Sequence, residues 1–143
     1  MKQLLFILVL TIFVSCNSTS KEEGKSEKKE ELVMYNPSEL TLLMEEIYTK
    51  NEQVKAQILD GELPSAFPEK FLKIHSAVMT EQFERDETFD ILADNFVKSQ
   101  RSIYSSTPET VKKNFNTSIN LCVACHQNTC TGPIPRIKKL LIK

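Results

Sequence analysis

The chain has 143 residues, with 18 Lys+Arg against 19 Asp+Glu, 41% hydrophobic residues, four Cys, two His and no Trp. That length suits one ordinary domain and argues against a large multidomain enzyme, and the net charge of -1 gives no global attraction to nucleic acid or anionic membrane. Three Gly argue against Gly-rich phosphate loops, collagen and many-turn β architectures, and the His and Cys counts leave room for one metal or cofactor site.

Residues 1–15 read as an export address. Met1-Lys2-Gln3 is a short positive start, and Leu4 to Val14 is an apolar run of signal-peptide length, too short to span a bilayer. The run ends Phe13-Val14-Ser15-Cys16. A small residue just before Cys resembles the lipobox of bacterial lipoproteins, which implies that Cys16 is lipidated and anchors an exported chain to the cell envelope, facing the periplasm or the cell surface. The bland alternative is plain secretion with an unrelated Cys16. From Asn17 to Glu31 no side chain is apolar. Such a segment cannot bury enough surface to offset its ordering entropy. Residues 16–31 are therefore expected to be a lipidated Cys and a flexible charged tether, spanning roughly 20–25 Å on average.

Residues 32–143 read as one all-helical domain. Asn36-Pro37-Ser38-Glu39 has the parts of a helix start, with Asn36 as the cap. Leu40, Leu43, Met44, Ile47, Tyr48, Val54, Ile58 and Leu59 then recur at three- and four-residue steps until Asp60-Gly61. Pro64 and Pro68 punctuate a connection. Phe71, Ile74, His75, Val78 and Met79 mark a second helix, and Phe89, Leu92, Ala93, Phe96, Val97, Ile103 and Tyr104 a third. Thr107-Pro108-Glu109 opens a fourth, with Val111, Phe115, Ile119, Cys122 and His126 on one face, and Gly132-Pro133 stops it. No segment alternates with period two for long enough to be a strand. Four amphipathic helices with short connections predict an antiparallel four-helix bundle.

The chemistry lies in Cys122-Val123-Ala124-Cys125-His126. C-x-x-C-H is the attachment signature of a c-type haem: two thiols form thioethers with the vinyl groups, and the His binds the iron. On a helix, Cys122, Cys125 and His126 fall within about one turn of one another. An exported chain is consistent with this chemistry, because the attachment takes place outside the cytoplasm. Two other readings stay open. A thioredoxin-like pair would want a preceding strand and a βαβ pattern, which the sequence lacks. A zinc site could draw on Cys122, Cys125, His126 and Cys130, although four ligands within nine residues is unlike the usual two separated pairs.

Only 17 residues follow His126, with no Met or His among them. A protein-derived sixth ligand must therefore come from upstream. With its haem motif near the C-terminus, the segment from about Asn36 to Cys130 resembles the class II cytochromes c, the cytochrome c′ and cytochrome c-556 group. Glu39 to Tyr48, followed by Asp60-Gly61-Glu62, is similar to that family's first helix. The resemblance implies an antiparallel four-helix bundle with a single covalent haem c on its C-terminal helix. It also implies Cys122 and Cys125 as thioether donors, His126 as proximal iron ligand and Met44 as distal ligand, and it allows a homodimer. His/Met ligation would suit one-electron transfer with redox partner proteins of the cell envelope. If Met44 is only a core residue, the family's other form applies, with an open iron that binds NO or CO. His75 would give a bis-His haem. Cys130 has no evident disulfide partner, and Arg136 or Lys138 in the basic tail would either stay in solvent or pair with haem propionates or an acidic partner. No paired carboxylates or Ser-His-Asp set argue for hydrolytic catalysis.

Overall fold

The structure is a computed structural model that describes residues 36–143. The signal segment, Cys16, the tether and residues 32–35 lie outside the described residues. Within 36–143 every regular element is helical: α1 Glu39–Leu59, a 3₁₀ segment Glu69–His75, α2 Glu87–Tyr104, α3 Val111–Asn128, α4 Ile134–Ile137 and a 3₁₀ turn Lys138–Leu140. Among the described residues no helix is long and apolar enough to cross a membrane.

α1 starts two residues later than the sequence suggests. Ser38, not Asn36, is the cap: its extended backbone lets the hydroxyl accept from Thr41 N–H at 3.2 Å. The free Leu40 N–H donates to the carbonyl of Val78 (2.9 Å), and Val78 N–H donates to the Glu39 carboxylate (3.0 Å). This reciprocal pair ties the helix start to the loop after the 3₁₀ segment. Leu40, Leu43, Ile47, Asn51 and Val54 form the buried face, three and four residues apart as a helical stripe requires. At the other end Gly61 sits at φ +80, and Gly61 and Glu62 N–H donate to Ile58 and Gln57 carbonyls. That is a glycine-closed helix end, at the place the sequence indicates.

The expected second α-helix is a 3₁₀ segment instead. Phe71, Ile74 and Ala77 are buried, and a spacing of three matches three residues per turn. His75 and Val78 consequently face solvent. Arg85 closes the segment, donating to the carbonyls of Ile74 (2.9 Å) and Ala77 (3.2 Å).

α2 is capped by Asp86, whose carboxylate accepts from Phe89 N–H at 2.7 Å. It packs most extensively on α3. α3 begins at Val111 rather than at Thr107, because Thr107 to Thr110 form a tight turn in which Thr107 O accepts from Thr110 and Val111. Two apolar clusters result. One joins Leu43, Ile47, Phe71, Ile74, Phe89 and Phe96; the other joins Val54, Ile103, Phe115, Ile119, Ile137 and Leu140. The tail after Gly132 packs back on the helices. Asn116 clasps Ile142 through Nδ2–H to its carbonyl (2.8 Å) and through Oδ1 from its N–H (2.9 Å), and Lys55 donates to Lys139 O (2.7 Å).

Candidate functional site

The last turns of α3 carry Cys122, Cys125 and His126, all half-buried. Helical periodicity continues the buried line Val111, Phe115, Ile119 into Cys122 and then His126, so the motif faces the core. Cys122 touches both apolar clusters. Burial, with the Cys125 thiol close by, pushes the Cys122 thiol up to about 12. Burial also raises Cys125. Both are therefore neutral thiols at pH 7, unlike the depressed, thiolate-rich pairs of disulfide oxidoreductases. Among the described residues no three His, Cys, Asp or Glu side chains converge to hold a metal ion, so the geometry does not favour the zinc alternative.

The His126 ring is oriented by the chain just beyond it. Its Nδ1 lies 2.9 Å from the carbonyl oxygen of Cys130. A carbonyl can only accept, so Nδ1 is the donor, and this is the tautomer whose lone pair lies on Nε2. The turn at 129–130, where Thr129 and Cys130 N–H return to the carbonyls of Cys125 and His126, places that acceptor.

Two adjoining cavities, of about 90 Å³ and about 310 Å³, share Met44, Glu45, Cys125, His126 and Pro133 in their walls. The smaller runs inward between α1, α2 and α3 past Ile47, Phe96 and Cys122. The larger lies toward Thr41, Met79, Phe83 and Cys130. Met44, on α1, is half-buried and packs against the first apolar cluster. The structure therefore brings Met44, Cys122, Cys125 and His126 to the border of one connected space. His75 is not among the residues that line it; it is exposed, 3.6 Å from the Asp94 carboxylate. Met79, assigned from sequence to the second helix, lies instead in the loop after the 3₁₀ segment and lines the larger cavity.

The tail brings Arg136, which the sequence left either in solvent or paired with haem propionates or an acidic partner, against α1. Arg136 Nη1 donates to both carboxylate oxygens of Glu45, at 2.7 and 2.8 Å, and its guanidinium lies 3.7 Å over the Tyr48 ring. All three side chains line the smaller cavity. Cys130 is half-buried with a free thiol. Comparison with family models, with curated proteins and with solved structures returns no match.

The donor set fits a covalently held haem. Two neutral thiols stand on one helix, an imidazole beside them has a free Nε2, and a thioether from another helix borders the same apolar space.

Proposed function

We propose that the chain is a monohaem c-type cytochrome of the class II kind, carrying single electrons. The observation that carries this reading is the convergence of Met44, Cys122, Cys125 and His126 on one cavity, with the His126 proton committed to the Cys130 carbonyl. In this reading the fold is an antiparallel four-helix bundle in which the 3₁₀ segment Glu69–His75 takes the place of the second helix.

When bound, haem c supplies a reversible one-electron ferric/ferrous couple. Cys122 and Cys125 hold it through thioethers, and His126 offers Nε2 to the iron. Met44 offers a thioether from α1, which raises the reduction potential and blocks small ligands. Ile47, Ile74 and Phe96 give the inner part of the cavity wall an apolar surface. A lipid anchor at Cys16 and the charged tether hold the domain at the cell envelope, within reach of membrane and periplasmic redox partners.

The larger cavity beside Met44 supports a second reading, an iron without Met44 that binds NO or CO. Absorption spectra of the mature protein, oxidised, reduced, and reduced with CO, separate the two. A low-spin haem indifferent to CO is the expected result. A high-spin haem that binds CO at once would favour the second reading, and no covalent haem in a host that attaches it to a control protein would reject both.

A further inference from the structure

Three polar side chains are buried in the described core: Asn51 at 1% exposure, and Gln100 and Ser118 at 0%. Asn51 and Gln100 sit at one level of the molecule, where the two apolar clusters meet. On α1 Asn51 separates Ile47 of the first apolar cluster from Val54 of the second, and on α2 Gln100 separates Val97 of the first from Ile103 of the second. Asn51 also lines the smaller cavity, two turns along α1 from Met44.

The hydrogen bonds of this layer are incomplete. Asn51 Nδ2 donates to Ile47 O at 2.8 Å, and Gln100 Nε2 donates to Asn51 Oδ1 at 3.1 Å. Gln100 Oε1 and Ser118 Oγ are buried with no hydrogen-bond partner among the described residues. The register of α2 against α3 can be taken from one contact near their joined ends. Asn114 donates to Ser106 Oγ (2.9 Å) and Ser102 O (3.4 Å), which straddle Tyr104. Carried one turn back on α2 and one turn forward on α3, that register assigns Gln100 and Ser118 to facing positions.

A buried acceptor and a buried hydroxyl left unpaired each cost the full desolvation of a polar group. Proteins meet such needs with internal water bonded to two to four polar partners. We infer that Asn51, Gln100 and Ser118 form a polar floor beneath the cofactor cavity, reaching its wall through Asn51 alone, and hold one internal water between Gln100 Oε1 and Ser118 Oγ. The second Nδ2 hydrogen of Asn51 supplies the third partner. The water donates to Gln100 Oε1 and exchanges a hydrogen bond with the Ser118 hydroxyl.

Resting on the cytochrome reading, the layer has a functional consequence. Oxidation adds a positive charge at the iron, and nearby dipoles and water stabilise that charge better than an apolar wall does. The floor therefore favours the oxidised form and lowers the reduction potential, which makes Gln100 and Ser118 positioning residues for the redox site.

The test pairs a crystal structure of the unaltered protein, at a resolution that shows water, with Ser118→Ala and Gln100→Leu. The expected result is a water bonded to both atoms, lost in Ser118→Ala, and a lower thermal midpoint for that variant. A dry layer, or a Ser118→Ala midpoint equal to or above that of the parent, overturns the water site. These readouts need no cofactor, so their failure is distinct from failure of the haem reading. In the haem-loaded protein both variants are expected to move the midpoint potential upward with an unchanged iron-ligand spectrum. A purely structural layer would leave the potential where it was, and that result overturns the tuning role.

Discussion

The His126 ring is held by a backbone atom: Nδ1 donates to the carbonyl oxygen of Cys130, 2.9 Å away. The contact does not depend on which side chain residue 130 carries. Cys130→Ala is therefore expected to keep the haem spectrum of the parent, and His126→Ala to lose the native proximal ligation. A Cys130→Ala spectrum with altered iron ligation would give the thiol a role the geometry does not assign to it.

Met44 and His126 border the same cavities from different helices. Met44→Ala is expected to turn a low-spin, CO-indifferent haem into a high-spin, CO-reactive one. Retention of a low-spin spectrum would show that another residue, with Met79 of the larger cavity the first to test, holds the iron.

Phe115 is fully buried on α3, among Val54, Ile103 and Ile119 of the second cluster. Phe115→Ala removes a ring the tail and helices have closed around, and a loss of about 3–5 kcal/mol is expected. Equilibrium denaturation of the two proteins measures it, and a loss well under that range would show that the cluster collapses to refill the space.

Arg136 joins the tail to α1 through Glu45 and Tyr48, but the pair is half-exposed. Solvent screens it, so Arg136→Gln is expected to cost only about 0.5–1 kcal/mol. Glu45→Gln should cost no more than that, and the double variant less than the sum of the two, since both remove the same contact. A double-mutant cycle with additive losses would show that the contact contributes nothing.

Local pattern made much of the fold legible. The α1 stripe from Leu40 to Val54 and its stop at Asp60-Gly61 follow from periodicity and from one glycine conformation, both properties of neighbouring residues. The second helix was misread for a related reason. Phe71, Ile74 and Ala77 differ from an α-helical stripe by a single residue of spacing, and the Arg85 contacts that close the 3₁₀ segment come from a residue beyond it. Ser38 and Asn36 are both good caps, and only the reach of the Ser38 hydroxyl to Thr41 decides between them. At the site, Cys122, Cys125 and His126 were legible because four consecutive steps of one helix unite them. The Arg136–Glu45 contact spans 91 residues, and no local signal announces it. The Gln100–Asn51 hydrogen bond joins residues 49 apart in the chain, and no local signal announces it either.

The central claim is that Cys122 and Cys125 carry a haem covalently. The most direct measurement is the mass of the peptide containing both, cut from the mature protein made in a host with haem-attachment machinery. The account predicts a mass increased by one haem, lost in a Cys122→Ala, Cys125→Ala double variant. A peptide with two unmodified thiols, from cells that load a control cytochrome, would contradict it.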